Sequence, residues 1–348
     1  MEIEARGCGG PGGWPEPGCR CASCLRAADG PPRQPFRVLV DGALELTGPG
    51  WDGSGQAGYD VRPLAGGWDV TAPDGTRLLA AAGPGARPRV PPGTARYDAV
   101  LLDLVGDPAQ LGLLRGTGAV TGSTLVLAMF GDHRIRSGRE LARRCRIWGA
   151  VLPRDGDTFT VPGPARAGER RRPWRVLILG GARSGKSAEA ELRVAAEPSV
   201  TYVATGRMDA ADADWAARIA AHRARRPAWW HTAETTDLAG VLQKARGAVL
   251  VDSVTAWLAA MMDECRVWDG AAAAAGQLAE RTAGLVAAWR QADAYVVAVS
   301  DETGLGIVPE TRAGRLFRDE LGLLNQQLAA ESEDFTMVIA GRARSAPD

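Results

Sequence analysis

Apolar and polar positions follow different patterns in the two halves of the chain. In the second half, short apolar runs alternate with longer amphipathic or alanine-rich stretches, which predicts buried strands separated by helices. The predicted strands are Val176–Leu179, Thr201–Ala204, Ala248–Val251, Tyr295–Val299 and Phe335–Ala340. Such alternation is typical of a parallel sheet covered by helices. In the first half, glycine and proline separate shorter runs, and the "PDG" between two of them indicates a β-hairpin.

The segment between the two halves has the composition of a linker. "VPGPARAGERRRP" mixes proline, glycine and charge without an apolar period. With 348 residues, the chain is also longer than most single domains. We therefore predict a β-rich α/β domain over residues 1–160, a linker over 161–173 and an α/β domain with a parallel sheet and flanking helices over 174–348.

The composition is that of an ordinary globular protein. Apolar residues make up 45% of the chain and charged residues 24%, and 41 acidic side chains balance 41 basic ones. A neutral balance does not favour a polyanionic partner, so we expect no nucleic acid. The start of the sequence lacks a basic segment followed by an apolar one, and no stretch has the uncharged length of a membrane span. These features predict a cytoplasmic protein.

The stretch "RVLILGGARSGKSAEAEL" carries the strongest candidate chemistry. It fits G-x-x-x-x-G-K-[ST] between a predicted strand and a predicted helix, the context in which this pattern binds phosphate. Gly180 and Gly185 permit backbone angles that a side chain would forbid, so that N–H groups converge on phosphate oxygens. Lys186 then reaches the terminal phosphates, and the Ser187 hydroxyl ligates Mg²⁺. The sequence therefore predicts a nucleotide site at this loop.

Two further features extend this site. The run "GAVLVDSVTAWL" ends a predicted strand on Asp252, which either faces the Mg²⁺ of the loop or caps the following helix. In "ARIAAHRARRPAWWHTAE", His222 stands among Arg218, Arg223 and Arg226. Nearby cations favour the neutral, nucleophilic form of an imidazole. The residues alone leave His222 open between a structural and a catalytic role.

Five segments together resemble one enzyme family. They are "GGARSGKS", "YVATGR", "RIAAHRARRPAWWHTAE", "VDSVTAWL" and "ETGLGIVPETRAGRLFRDELGLLNQQLA". Their order and spacing are similar to those of the bifunctional adenosylcobinamide kinase/adenosylcobinamide-phosphate guanylyltransferases over residues 175–341. The resemblance implies a P-loop NTPase fold and an enzyme of cobalamin biosynthesis that phosphorylates the aminopropanol arm of adenosylcobinamide with ATP or GTP. A histidine then takes GMP from GTP, releases pyrophosphate and passes the GMP to the phosphorylated cobinamide, which gives adenosylcobinamide-GDP.

The resemblance also implies roles for individual residues and a homo-oligomer. The family histidine corresponds to His222, which would be catalytic together with Lys186, and Ser187 and Asp252 would hold Mg²⁺. The implied nucleotide-binding residues are Gly180, Gly181, Ala182, Arg183, Ser184, Gly185, Lys186, Ser187, Thr205, Gly206, Arg207, Arg223, Ala224, Arg225, Arg226, Glu234 and Asp252. At Asp301 the chain has a carboxylate where the resemblance leads us to expect a neutral amide. Two other functions stay compatible with the loop, a P-loop kinase for another hydroxyl substrate and a nucleotide-gated interaction protein.

The first half resembles a different family. "EARGCGGPGGWPEPGCRCASC" and "YDAVLLDLVGDPAQLGLLR" are similar to segments of metallo-β-lactamase-fold hydrolases of the phosphodiesterase type, in which such cysteines can hold a structural zinc. Where those enzymes carry metal-binding histidines, this chain has "DLVGDP" from Asp103 to Pro108. The resemblance therefore implies a degenerate fold without catalytic zinc. Cys19, Cys21 and Cys24 either bind one structural zinc with a fourth ligand from elsewhere or are plain buried thiols.

Overall fold

The chain folds into two separate units in the computed structural model, which describes residues 1–48, 50–51, 58–163, 173–206, 226–270 and 272–345. The first unit comprises Met1–Arg170 with Ala195–Pro198, and the second comprises Arg171–Val194 with Ser199–Asp348. Most of the predicted linker 161–173 lies outside the described residues. The linker therefore stays a prediction.

The described part of the first unit consists of two β-sheets with short helices. Its elements are β1 (Glu2–Gly7), α1 (Ala22–Ala27), β2 (Arg37–Val40), β3 (Leu44–Leu46), β4 (Asp60–Leu64), β5 (Gly67–Thr71), β6 (Arg77–Ala81), β7 (Ala99–Leu102), α2 (Ala109–Gly116), β8 (Leu125–Ala128), α3 (Gly138–Trp148) and β9 (Asp157–Thr160). An antiparallel sheet has the strand order β3-β2-β1-β9, and a second sheet has the order β4-β5-β6-β7-β8. In the second sheet β6, β7 and β8 run parallel.

Residues from both sheets form one apolar core in this unit. Val38 of the first sheet and Val70 and Leu101 of the second belong to the same cluster of buried side chains. The predicted hairpin is confirmed, because Asp74 and Gly75 lie in the turn between β5 and β6, and Gly75 has a φ of +83°. The β-rich α/β character of the first half agrees with the sequence. Its membership of the metallo-β-lactamase fold stays a prediction.

The second unit contains a larger sheet and longer helices. Its described elements are β10 (Trp174–Gly180), α4 (Lys186–Val194), β11 (Val200–Ala204), β12 (His231–Glu234), α5 (Leu238–Lys244), β13 (Ala248–Asp252), α6 (Val254–Glu264), a 3₁₀ turn (Val267–Asp269), α7 (Ala272–Gln291), β14 (Tyr295–Asp301), α8 (Arg312–Ala330), β15 (Asp334–Ile339) and β16 (Arg342–Ser345). Within the described ranges, no helix combines the length and the apolar character that crossing a membrane requires.

The sheet of the second unit has the strand order β12-β11-β13-β14-β10-β15-β16. All neighbouring pairs run parallel except β15 and β16. The five strands predicted from the apolar runs are confirmed. The two edge strands, β12 and β16, were missed because "HTAE" and "RARS" are mostly exposed and have no apolar run.

Successive residues of the central strands point to opposite faces of this sheet, as the period of a β-strand requires. Leu177 and Val249 pack on one face in a core that includes residues of α5, α6, α7 and α8. Ile178 and Leu250 pack on the other face, where α4 contributes Val194. Helices cover both faces, so the edges at the strand ends are where the unit exposes its loops. The carboxyl edge is the usual ligand-binding edge of such a sheet.

Candidate functional site

The candidate nucleotide site lies at the carboxyl edge of the parallel sheet. β10 ends on Gly180 at the start of the glycine-rich loop, β13 ends on Asp252 and β14 ends on Asp301. Because β14 is paired with both β10 and β13, these three strand ends are neighbours. The strand order therefore brings the loop and two carboxylates together from distant parts of the sequence.

The loop requires glycine for two different reasons. Gly185 has a φ of +99°, which side chains rarely adopt. Gly180 is not in this conformation, but a Cβ there would lie 2.5 Å from Ser184 Oγ and 2.6 Å from the carbonyl oxygen of Val338. Our expectation of unusual backbone angles is thus right for Gly185 and wrong for Gly180, where close packing excludes a side chain. Residues 181–183 are exposed, so the loop is open to solvent.

Lys186 is paired with a carboxylate at this edge. Its Nζ lies 2.6 Å from Oδ1 of Asp301 and donates a hydrogen bond of 3.1 Å to the carbonyl oxygen of Gly181. Ser187 follows in the first turn of α4 and is half-buried. The ammonium group is therefore held at the loop by groups of the protein itself.

Asp252 is oriented by a tyrosine of the neighbouring strand. The hydroxyl of Tyr202 donates a hydrogen bond of 2.8 Å to Oδ2 of Asp252. Burial raises the pKa of Tyr202, and the charge of Asp252 raises it further, so this hydroxyl stays protonated and donates. The N-cap of α6 is Ser253, whose Oγ accepts a hydrogen bond from the N–H of Ala256. The alternative that Asp252 caps this helix is therefore wrong.

Thr205 braces the same strand end. Its side chain is buried, and Oγ1 donates to the carbonyl oxygen of Ser253 at 2.5 Å and accepts from the N–H of Ser253 at 3.1 Å. These two bonds hold the backbone next to Asp252. Gly206 is half-buried, and Arg207 lies outside the described residues. The nucleotide contacts implied for these three residues stay predictions.

A cavity of about 300 Å³ opens beside β12. Its described lining consists of Arg226, Pro227, Ala228, Trp230, Thr232 and Glu234. The guanidinium carbon of Arg226 lies 3.3 Å from the centre of the Tyr202 ring, which links the cavity to the tyrosine that orients Asp252. Nε of Arg226 and Nε1 of Trp230 are buried and have no hydrogen-bond partner in the described structure. The cavity is thus lined by an arginine, a tryptophan and the acidic residue Glu234.

Part of the predicted site lies outside the described residues. This part comprises Arg207, His222, Arg223, Ala224 and Arg225, and their roles stay predictions. Tyr202, which orients Asp252, was not predicted from the sequence. Its only local signal is a phenolic hydroxyl within the mostly apolar stretch of β11, which also contains Thr201.

A second cluster, in the first unit, consists of Cys19, Cys21, Cys24 and His133. One ligand atom of each residue lies within 4.8 Å of the others. Nδ1 of His133 is 3.7 Å from Sγ of Cys19 and 3.8 Å from Sγ of Cys24. A hydrogen bond from the backbone N–H of Cys24 lowers the pKa of the Cys21 thiol to about 7. Cys21 is exposed and Cys19 half-buried, so the alternative of plain buried thiols is wrong for these two residues.

Arginines pair with both carboxylates of the segment "DLVGDP". Asp103 follows β7, its carboxylate is fully buried, and it accepts hydrogen bonds from the guanidinium of Arg134 at 2.7 and 3.2 Å. Arg134 also donates through Nε to Asp132 at 2.9 Å, and Arg87 pairs with Asp107 at 2.8 Å. These carboxylates are neutralised by side chains of the protein rather than left to bind a cation.

The comparisons with known proteins distinguish between the functions that the sequence left open. The model of the family described as cobinamide kinase / cobinamide phosphate guanyltransferase matches residues 176–345. The bifunctional adenosylcobalamin biosynthesis protein CobU of Salmonella typhimurium is 37% identical over 181 residues, covering 48% of this chain and 96% of CobU. The chain belongs to the cobinamide kinase / cobinamide phosphate guanyltransferase family.

A second curated relative supports the same conclusion. The bifunctional adenosylcobalamin biosynthesis protein CobP of Pseudomonas aeruginosa is 42% identical over 175 residues, covering 48% of this chain and 94% of CobP. An ATPase of a bacterial type III secretion system is 12% identical, covers 49% of this chain and 56% of its own, and has a TM-score of 0.33, which is too low to support an argument. The family membership confirms the resemblance of the five segments. It does not favour the kinase for another substrate or the nucleotide-gated interaction protein.

Proposed function

We propose that the second unit is a bifunctional transferase of cobalamin biosynthesis acting on adenosylcobinamide. In the first reaction, the hydroxyl oxygen of the aminopropanol arm attacks the γ-phosphorus of ATP or GTP, the nucleoside diphosphate leaves and the hydroxyl loses its proton. In the second, an imidazole nitrogen of His222 attacks the α-phosphorus of GTP and pyrophosphate leaves. An oxygen of adenosylcobinamide phosphate then attacks that phosphorus, the P–N bond breaks and adenosylcobinamide-GDP is released. A covalent carrier separates one transfer between two large substrates into two displacements.

The observation that carries this proposal is the arrangement at the sheet edge in a chain of this family. The loop from Gly180 to Ser187, the ammonium of Lys186 and the carboxylate of Asp252 lie at neighbouring strand ends. Residues 181–183 of the loop are exposed, and a glycine-rich loop followed by the N-terminus of a helix suits phosphate oxygens. Lys186 is placed to stabilise the charge that develops on the leaving phosphates.

The donor set also fits Mg²⁺. The hydroxyl of Ser187 and the carboxylate of Asp252 are hard oxygen ligands, which this ion prefers, and the Tyr202 hydrogen bond holds the orientation of the carboxylate. Bound Mg²⁺ would neutralise phosphate charge. Ser187 and Asp252 are therefore the residues that we assign to it.

We assign the guanine base to the cavity beside β12. A carboxylate such as that of Glu234 can accept hydrogen bonds from both the ring N–H and the amino group of guanine, and adenine does not offer this pair. The side chains of Arg226 and Trp230 line the same cavity and would pack against the bound nucleotide. A site built to pair such groups discriminates against a nucleotide that leaves them unpaired.

Mass spectrometry after incubation with GTP and Mg²⁺ tests the proposed function. The protein should gain one acid-labile GMP group, and His222→Asn should abolish it. His231→Asn is the matched control, since His231 lies in the same stretch of sequence on exposed β12. Undiminished labelling of His222→Asn would contradict the assignment. The expected homo-oligomer and the cytoplasmic location stay predictions, which gel filtration with light scattering and cell fractionation would test.

We further propose that the cluster of Cys19, Cys21, Cys24 and His133 holds one structural zinc ion. In a tetrahedral site, bonds of about 2.3 Å to sulfur and about 2.0 Å to nitrogen place the two ligand atoms about 3.5 Å apart. The observed sulfur–nitrogen distances of 3.7 and 3.8 Å are close to this value. Nδ1 of His133 also lies 2.8 Å from Oε2 of Glu16, a contact that the metal would replace.

Metal analysis of the purified full-length chain tests the zinc proposal. We expect one zinc per chain, lost in Cys24→Ser and in His133→Ala. Cys145→Ser is the control, because Cys145 is a buried cysteine outside the cluster. Zinc retained by Cys24→Ser, or two tightly bound metals per chain, would contradict this assignment.

A further inference from the structure

Lys186, whose ammonium group we propose binds nucleotide phosphates, forms an ion pair with Asp301. The two charged atoms are 2.6 Å apart, and the side chains are only 13% and 28% exposed. Lys186 has a second contact, to the carbonyl oxygen of Gly181. Both described contacts of the lysine are thus made to groups of the protein.

The position of Asp301 is set by the sheet. In the pairing of β10 with β14, Asp301 stands opposite Gly180, the first residue of the loop. Its N–H donates to Oγ1 of Thr255 at 2.7 Å, and its carbonyl oxygen accepts from Nδ2 of Asn325 at 3.0 Å. Both contacts use the backbone of Asp301, so they hold the residue in place whatever its side chain carries.

When a phosphate group pairs with Lys186, the carboxylate of Asp301 stays next to that phosphate. Two negative groups then lie within a few ångströms in a partly buried site, where their repulsion is stronger than in water. A divalent cation offsets that repulsion, since it is attracted to the phosphates and to the carboxylate alike. A neutral amide at position 301, as the family resemblance leads us to expect, would neither hold the lysine nor repel the phosphates.

We propose that Asp301 is the counter-ion that nucleotide phosphates displace from Lys186, and that it makes nucleotide binding by this chain strongly dependent on a divalent cation. Asp301 is thus a positioning residue, acting through Lys186 and through the charge of the site. The inference rests on the proposed function, because it takes the glycine-rich loop to bind a nucleoside triphosphate.

The test is GTP binding by isothermal titration of the full chain, once with excess EDTA and once with saturating Mg²⁺. Asp301→Asn removes the charge, keeps the side-chain shape and leaves both backbone contacts in place. We expect it to bind metal-free GTP on the order of tenfold more tightly than the unsubstituted chain, which corresponds to about 1.4 kcal/mol. With Mg²⁺ the difference should shrink to a small factor. Asp301→Ala, which also lacks the carboxylate, should shift the metal-free affinity in the same direction and provides a second reading if the first variant unfolds.

Asp293→Asn is the matched control. Asp293 is an exposed aspartate just before β14, at the opposite end of the strand that carries Asp301. Asp293→Asn should change the affinity for GTP neither in EDTA nor with Mg²⁺. Equal or weaker metal-free binding by Asp301→Asn and Asp301→Ala would overturn this inference and leave the proposed function intact. An unsubstituted chain that binds no GTP even with Mg²⁺ would overturn both.

Discussion

The replacement of Arg134 by methionine should strongly destabilise the first unit. Arg134 is the only cation with a described contact to the carboxylate of Asp103, which is fully buried. In the variant, this carboxylate keeps backbone N–H donors from Gly85, Val105 and Gly106 but has no positive partner. Removing one member of a buried ion pair typically lowers the free energy of unfolding by about 3–5 kcal/mol. We expect the lower end, about 3 kcal/mol, because three backbone donors remain and the Arg134 side chain is itself 32% exposed.

Hydrogen exchange of the full-length chain measures this cost in the first unit alone. Peptides covering β7 and β8, the strands that precede Asp103 and Arg134, report the opening of that sheet. A loss of about 3 kcal/mol corresponds to exchange that is roughly a hundredfold faster, at about 1.4 kcal/mol for each factor of ten. Peptides of β10 and β14 in the second unit serve as an internal reference.

Two further variants separate the buried charge from other effects of the substitution. Arg62→Met removes an exposed arginine whose pair with Asp60 is in solvent, so protection should change by less than about 1 kcal/mol. Asp103→Asn combined with Arg134→Met removes both charges and should recover most of the lost protection. If Arg134→Met exchanged at the unsubstituted rate, or if the double variant were no better than the single one, the idea that Arg134 neutralises Asp103 would be wrong.

Three more outcomes follow from the structure. Lys186→Ala should slow GMP labelling by about a hundredfold or more in quench-flow experiments, because the lost charge stabilises the leaving phosphates. The circular dichroism spectrum should be unchanged. A normal labelling rate would require a second nucleotide site. Burial alone would raise the pKa of Glu140, but Arg143 and Arg144 outweigh it and hold that pKa at about 2. The resulting stabilisation, about 2–3 kcal/mol, is present above pH 4.5 and lost as the pH falls towards 2. The free energy of unfolding of Glu140→Gln should therefore depend less on pH between 4.5 and 2 than that of the unsubstituted chain. An unchanged dependence on pH would contradict this. Glu234→Gln should lower the preference for GTP over ATP in competition for GMP labelling by about tenfold or more, and an unaltered preference would place the base elsewhere.

The arrangement at each site depends on contacts that no local sequence pattern predicts. Cys24 and His133 are 109 positions apart, and Lys186 meets Asp301 because β14 pairs with β10. Arg134 reaches Asp103 from a loop that follows a different strand. The edge strand β12, which carries Glu234 to the cavity, has no apolar run at all. These features were not predictable from spacing.

The sequence by itself determined the class of the protein and the position of the glycine-rich loop that we propose binds phosphate. Apolar runs of strand length separated by helical stretches specify a parallel sheet, because burial of alternate faces is a local requirement of each segment. The pattern from Gly180 to Ser187 specifies its chemistry for the same reason, since a tight turn and a following helix are set by neighbouring residues. The tertiary structure alone decided which side chains meet: Tyr202 with Asp252, Asp301 with Lys186, and a histidine with three cysteines. Strand order and loop paths place these groups, and both result from the packing of the whole core rather than from any one stretch of chain.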